Sequence, residues 1–313
     1  MQQTNTIQAG AHSHRGAYLL LASVVILWGS NWPVMKIGLV EIPPFWFAGL
    51  RVFLGAATLF IVLAFNGGLA LPGRRDMVQL IGTAVFQVAI YMGLVNLALV
   101  TVAPGRAAVL AYTTPLWAVP GALIFLGEKL TTLKATGLLL GIGGVLLLFN
   151  PLGFDWSNHQ QVIGNLLLMA AALSWAAAIL LIRGRPWHLT PLQLAPWQLV
   201  LSGILLCGAA WITEGPLDIP ATPKIAAILA YNGPVCIGFC FWASVAIARA
   251  LPATTSSLSF LAVPAMGIAS SAIVLGERID ATLIGGFALI LIGVALVAAS
   301  DRKPRSRPVK LVV

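Results

Sequence analysis

Apolar runs of about twenty residues, each bounded by a charge, a proline or a glycine, follow one another from residue 17 to residue 299. A helix needs about 20 mostly apolar residues to cross a hydrocarbon core about 30 Å thick, because it rises only about 1.5 Å per residue. Only 9% of the 313 residues are charged, whereas soluble domains carry roughly 25%, so too few charges exist to wet a folded surface. The same pattern excludes a disordered chain and a disulfide-stapled secreted domain. A transmembrane β-barrel is disfavoured, because barrel strands are shorter and alternate outward apolar with inward polar residues. The chain therefore reads as an all-α integral membrane protein.

Ten such runs can be placed, at 17–38, 44–66, 77–98, 104–126, 132–150, 161–183, 191–213, 224–247, 253–275 and 281–299. The connections left between them are too short for an extramembrane domain. The first run is a full span with no small-residue cleavage site behind it, so it reads as a helix and not as a removable signal peptide. Lys and Arg set the orientation. With the N-terminus inside, 13 of the 18 fall on the cytoplasmic side and 4 outside (Lys36, Arg106, Lys224 and Arg278), while Arg51 lies within the second run. Both termini are therefore expected in the cytoplasm. Five of the basic residues lie at 302–310. Much of the +9 formal charge is thus read as a membrane-surface signal, not as a nucleic-acid-binding tail. Cys207, Cys236 and Cys240 fall within runs, where cysteine behaves as a small hydrophobe, and neither a disulfide nor a metal site is expected from them.

The chain also repeats itself. At an offset of 149, Pro115 aligns with Pro264, Leu126-Gly127-Glu128-Lys129 with Leu275-Gly276-Glu277-Arg278, Gly137 with Gly286 and Gly144 with Gly293, giving ten identities over 115–149. Weaker echoes at 147 and 148 pair Trp28 with Trp175, Lys36 with Arg183 and Pro104 with Pro252. Each copy holds five runs. Five is odd, so the second copy enters the membrane from the opposite side, which makes an inverted repeat of the kind that opens alternately to either side. The organisation expected is an N-terminal cytoplasmic tail at 1–16, two five-helix repeats at 17–150 and 161–300, and a basic cytoplasmic tail at 301–313.

Leu27-Trp28-Gly29-Ser30-Asn31-Trp32-Pro33 resembles the opening of the EamA-type transporters of the drug/metabolite transporter superfamily. So do Arg51 in Leu50-Arg51-Val52-Phe53-Leu54 and the stretches from Pro115 to Glu128 and from Pro264 to Glu277. The resemblance covers about residues 17–300. It implies ten transmembrane helices in two inverted repeats, both termini cytoplasmic, and export of amino acids or other small metabolites across a bacterial-type inner membrane. The second copy departs from the pattern at Ser174-Trp175-Ala176-Ala177, which lacks the Asn and Pro, so equal substrate contact by the two halves is not expected.

Polar side chains inside apolar runs are the first functional candidates, because hydrocarbon penalises them unless they face a cavity or a partner. Asn31 lies beside Pro33, with Trp28 and Trp32 one turn apart. Pro33 leaves the carbonyl near position 29 without its donor, and Asn31 either satisfies the local backbone or reaches a ligand. Gln87 and Tyr91 are one turn apart in the third run and are candidates to line a cavity, while Asn96 suits an interhelical hydrogen bond. Tyr112 is a further candidate, and the adjacent Thr113 and Thr114 suit bonds back to their own helix. In the eighth run Tyr231, Val235, Gly238 and Trp242 share one face at α-helical spacing, either toward substrate or toward the core. With Trp175 as counterpart of Trp28, the expected substrate-binding set is Trp28, Asn31, Trp32, Gln87, Tyr91, Tyr112, Trp175, Tyr231 and Trp242.

Gating or structural roles are expected for Arg51, Pro33, Pro115, Pro264, Glu128 and Glu277. Arg51 sits shallowly enough to snorkel outward, the alternative being a permanent cationic partner for a substrate carboxylate or for a helix C-terminus. Glu128 and Glu277 precede the fifth and tenth runs, whose positive N-terminal ends suit a carboxylate. The hydroxyls from Thr254 to Ser259 suit helix packing. Gly137, Gly141, Gly144, Gly286 and Gly293 read as a packing seam between the last helices of the two repeats.

No acidic residue and no His falls at the middle of a run, although proton relays and Na⁺ sites usually recruit buried carboxylates. A neutral or zwitterionic solute with an apolar body is therefore expected, moved by facilitation or with weak ion coupling. Amino acids, aromatic or large apolar ones included, fit best. A multidrug carrier would favour a buried acid and a nucleotide-sugar carrier several buried cations; these are the alternatives. An enzyme would need a catalytic grouping at one face, and none is visible. No cofactor and no metal is expected. The partners are a small-molecule substrate and the lipid bilayer, with the chain acting as a monomer and no nucleic acid involved.

Overall fold

The computed structural model describes residues 2–149, 158–183, 185–251 and 259–300, with side chains at 16–148 and in the later segments. Pro252, Thr254, Thr255, Ser256, Ser257, Asp155 and the basic tail from Asp301 onward lie outside the described residues, as does the side chain of Arg15. Among the described residues all regular structure is helical. In chain order the helices are α1 (Gln2–Gly38), α2 (Pro44–Phe65), α3 (Arg74–Thr101), α4 (Pro104–Phe125), α5 (Thr132–Phe149), α6 (His159–Ile182), α7 (Pro191–Thr213), α8 (Pro223–Ala250), α9 (Ala262–Leu275) and α10 (Ala281–Ser300). All but α5 and α9 are long and apolar enough to cross a membrane, α1 through its Gly16–Gly38 portion. Those two are shorter apolar helices. The chain is an integral membrane protein.

Local chemistry explains the ends. Pro44, Pro104, Pro191 and Pro223 open α2, α4, α7 and α8, where a missing N–H leaves no intrahelical bond unmade. Asn158, Thr190 and Thr222 cap α6, α7 and α8 by accepting the N–H groups of Gln161, Gln193 and Ile225. The left-handed glycines Gly67, Gly127, Gly215 and Gly276 occur where the chain leaves α2, α4, α7 and α9. They form two pairs at separations of 148 and 149, so the internal repeat of the sequence is also a repeat of turn geometry.

Tertiary packing follows the same exchange. α1 packs on α9 as α6 packs on α4; α2 packs on α8 as α7 packs on α3; α1 packs on α8 as α6 packs on α3. The remaining major pairs are α2 with α7, α4 with α9 and α5 with α10. Exchanging the first five helices for the last five leaves this map unchanged.

The pairing of α5 with α10 shows what sets the helix spacing. Lipid tails are as apolar as leucine, so hydrophobic burial does not draw membrane helices together, and close packing has to do so. A Cβ added at Gly137 would lie 2.6 Å from the Gly293 carbonyl oxygen, and one at Gly144 would lie 2.7 Å from that of Gly286. The glycine seam expected between these helices is therefore present as backbone-on-backbone contact. At Gly143, on the same helix, a Cβ would meet nothing within 4 Å. Gly137→Ala is expected to destabilise the fold by about 1–3 kcal/mol through overpacking. Gly143→Ala is expected to be neutral or to stabilise by up to ~1 kcal/mol. Denaturant titration of the purified protein in mixed micelles distinguishes them.

Candidate functional site

Two helices widen at corresponding places. α3 becomes a π-helix over Thr83–Ile90 and α8 over Tyr231–Phe239, with starts 148 positions apart. Pro234 lies inside the second and removes a backbone donor there. Wide turns of this kind occur often at functional sites. Here their carbonyls serve neighbouring helices. The Trp28 indole N–H donates to the Cys236 carbonyl at 2.8 Å. In the other half the hydroxyls of Ser174 and Ser202 donate to the carbonyls of Phe86 (2.7 Å) and Ala84 (2.9 Å). The Tyr231 hydroxyl bonds Ser30 Oγ at 2.8 Å and donates to the Leu27 carbonyl at 3.0 Å, so α1 and α8 are joined through polar groups at this level.

Between the wide turns sits an aromatic centre. Tyr91, buried at the end of the first wide turn, meets Trp175 of α6 edge-on with ring centroids 4.6 Å apart. Buried Trp32 belongs to the same packed cluster, and Tyr112 and Trp175 pack against it. Tyr112 marks a break in α4, between Pro104–Ala111 and Thr114–Phe125. Pro115 lacks the N–H that would reach the Ala111 carbonyl, and the Thr114 hydroxyl donates to that carbonyl instead, at 3.2 Å. Thr113 donates to the Leu110 carbonyl at 2.6 Å. Backbone groups in a membrane interior need such internal partners.

Arg51 lies beside this centre. It is only 4% exposed, donates to Asn232 Oδ1 at 3.3 Å and to the Met35 thioether, and holds its guanidinium carbon 5.7 Å from the Phe47 ring centroid. Its Nε has no partner. Among the described residues no carboxylate forms an ion pair with it. A buried charge lacking a counter-charge is costly to hold.

Known proteins share this design. The model of the EamA-like transporter family matches twice, over residues 15–150 and 162–299. The chain belongs to the EamA-like transporter family. This EamA-like chain is 28% identical to the uncharacterized transporter YoaV of Bacillus subtilis (strain 168), covering 88% of this chain and 94% of that protein. It is 29% identical to a probable amino-acid metabolite efflux pump of Salmonella typhimurium (strain LT2), covering 90% and 94%. A solved crystal structure aligns with a TM-score of 0.62 at 23% identity, over 94% of this chain and 99% of that one, which supports the fold alone. Family membership makes the chain a transporter and not an enzyme.

Several sequence expectations for this EamA-like chain need correction. Arg51 does not snorkel outward, because its stripe of α2 packs against α8 and α1 and not against lipid. The carbonyl exposed by Pro33 is that of Gly29, and it is served by Ser270 of α9 at 3.2 Å. Asn31 does not serve it, and its Oδ1 is buried without a partner. Tyr231, Val235, Gly238 and Trp242 do not keep one α-helical face, because the π-helix changes the residues per turn. Tyr231 reaches α1, Gly238 lies against Thr58 of α2, and Trp242 packs against the buried cluster that Val52 of α2, Val88 of α3 and Leu199 of α7 belong to. Gln87 is half-buried inside the other wide turn. Glu277 does not cap its own following helix; it accepts the Gly105 N–H at the start of α4 at 3.0 Å. Glu128 pairs with Lys134 and Arg183, each at 2.8 Å. Pro264 is buried within α9. Asn96 does bridge helices, donating to the Pro44 carbonyl at 3.0 Å.

Sequence reading missed Asn232, which is fully buried and is the amide partner of Arg51. The rule that selected Tyr231, a polar group in an apolar run, selects its neighbour equally well. Asn232→Leu is expected to destabilise the fold by about 1.5–3 kcal/mol, the range for hydrogen bonds to charged groups. In the double variant Arg51→Met, Asn232→Leu the loss is expected to be smaller than the sum of the single losses, since neither polar group then remains unpaired. A double-mutant cycle by denaturant titration measures this coupling.

Proposed function

We propose that this chain exports amino acids or similar small metabolites, aromatic or large apolar amino acids among them, by alternating access across a bacterial-type inner membrane. In this reading ten helices span the bilayer as two inverted five-helix repeats, with both termini cytoplasmic, and the chain works as a monomer. The observation that carries the reading is the Tyr91–Trp175 pair, one ring from each half, standing beside a buried Arg51 that pairs with no carboxylate among the described residues. The aromatic edges and faces suit an apolar solute body, and the guanidinium suits its carboxylate. The probable amino-acid metabolite efflux pump among the relatives supports the same solute class. The packing map that survives exchange of halves supports an inverted repeat, the architecture by which one half rocks against the other about a site near the midplane.

The carboxylates support facilitation without strong ion coupling. Glu41 pairs with Lys224. Asp76 accepts the Gly73 and Leu189 N–H groups at 3.2 and 3.3 Å. Glu214 accepts those of Phe45 and Trp46 at the start of α2, at 2.8 and 3.0 Å. These are helix-end positions, where a carboxylate offsets the positive end of a helix.

Proteoliposomes charged with a panel of labelled amino acids test both parts. Tyr91→Ala and Trp242→Ala are each expected to lower transport of the accepted solutes about tenfold or more, whereas Tyr91→Phe retains the ring pair and most of the rate. If neither alanine variant changes transport of any accepted solute, the assigned passage is wrong. Counterflow is expected to be insensitive to pH and to Na⁺, and uphill accumulation driven by a proton or sodium gradient would overturn the facilitative reading.

A further inference from the structure

A cleft of about 280 Å³ opens between the two halves at the end of the bundle where α3 finishes and α4, α6 and α10 begin. Its wall carries Arg106, Gln161, Asn165, Glu277, Arg278 and Asp280, with one cation from the start of α4 and one cation and two anions from the α9–α10 turn. Neither arginine forms an ion pair among the described residues. Both carboxylates are anchored by the protein backbone: Glu277 Oε2 accepts the Gly105 N–H at 3.0 Å, and Asp280 Oδ1 accepts the Leu283 N–H and the Thr282 hydroxyl, each at 2.7 Å. The hydrogen bonds from Thr282 and Leu283 hold the Asp280 carboxyl below its usual range, so it stays charged at neutral pH.

Asn165 supplies the independent sign that something binds here. It is only 2% exposed, its Nδ2 donates to the Gln161 carbonyl at 2.9 Å, and its Oδ1 is buried with no donor. A buried acceptor left unsatisfied is costly, and a ligand N–H removes that cost. The balance of charges selects the ligand. A simple anion would meet Glu277 and Asp280, and a metal cation would meet the two guanidiniums, so each is repelled by half of the wall. A zwitterion has a pole for each. The volume falls just below the ~300–1,000 Å³ typical of pockets for drug-sized ligands, which suits an amino-acid-sized solute.

We propose that this cleft binds the zwitterionic head of an amino-acid-like solute, with its carboxylate between Arg106 and Arg278 and its ammonium toward Asn165 Oδ1 and the two acidic side chains. The site is separate from the aromatic centre, and it deepens the transport reading by holding solute at one mouth of the passage; only the solute class rests on that reading. Binding of tritiated L-leucine and L-phenylalanine to the full chain in nanodiscs provides the test, alongside transport in proteoliposomes. Arg106→Gln and Arg278→Gln are each expected to raise the Kd fivefold or more, also in a Tyr91→Ala background. Leucinamide, which lacks the carboxylate, and N-acetyl-leucine, which lacks the ammonium, are expected to compete at least tenfold more weakly than leucine. In transport, Arg278→Gln raises the half-saturating concentration and leaves the maximal rate within twofold. Arg278 is exposed, so its replacement leaves the fold intact, and Arg278→Lys is expected to restore part of the affinity. The proposal is overturned if the wild-type chain binds neither amino acid, if both glutamine variants bind like wild type, or if leucinamide competes as well as leucine. Arginine-dependent binding without transport of any amino acid overturns the transport reading and leaves the cleft standing; transport with binding insensitive to both arginines does the reverse.

Discussion

A helix inside hydrocarbon has to find a partner for every backbone polar group within the protein, and most of this molecule's distinctive features answer that requirement. The chain breaks its own helices at the Thr83–Ile90 and Tyr231–Phe239 wide turns, at the α4 interruption before Pro115 and at Pro33. Each break exposes carbonyls, and each is served by a side chain placed for it: Trp28 and Ser174 at the wide turns, Thr114 in α4, Ser270 across α9. All but Thr114 donate from a different helix. The breaks therefore hold the helices in register as well as bending them, and the aromatic centre lies among them.

Charge obeys the same economy. Most acidic groups with assigned partners are at helix ends, against N–H groups or cations, while Arg51 is carried into the packed interior on an amide and a thioether. Lys36 illustrates the usual solution at the end of a helix: its ammonium donates to the Leu99 and Val100 carbonyls at the close of α3, at 2.6 and 2.9 Å, where a cation suits the negative end of the dipole. The proposed passage and the proposed cleft differ in this respect. The first offers one buried cation among aromatic rings, and the second offers both signs of charge at a polar mouth, so a zwitterion with an apolar body suits the two in succession.

Much of the architecture could be read from residue order. The apolar runs locate eight of the ten described helices to within a few positions, α1 reaching back to Gln2 and α9 being described from Ala262; Asn96 and the Gly137–Gly293 seam lie where their residue types place them, and the repeat at 149 reappears in the left-handed glycines. What could not be read was the conformation within a run. Tyr231 and Trp242 are eleven residues apart, and an α-helix would put them on one face, but a π-helical stretch from Tyr231 to Phe239 changes the residues per turn, so spacing alone does not fix their alignment. The outward snorkelling expected of Arg51 and the local cap expected of Glu277 fail for a different reason. Their sequence neighbours offered an adequate local partner, solvent for one and a helix start for the other, yet packing brought a distant one closer.

By itself the sequence determined that this chain lives in a membrane, that it is built from helices, and that its two halves are copies, because hydropathy and repetition are properties of residue order. Only the tertiary structure decided which carbonyls are released and which side chains receive them, that Arg51 faces Asn232, and that Arg106, Asn165 and Arg278 share one wall. The Arg51–Asn232 pair and the cleft residues join positions from 59 to 181 apart, and such contacts depend on how helices cross, which local spacing does not encode.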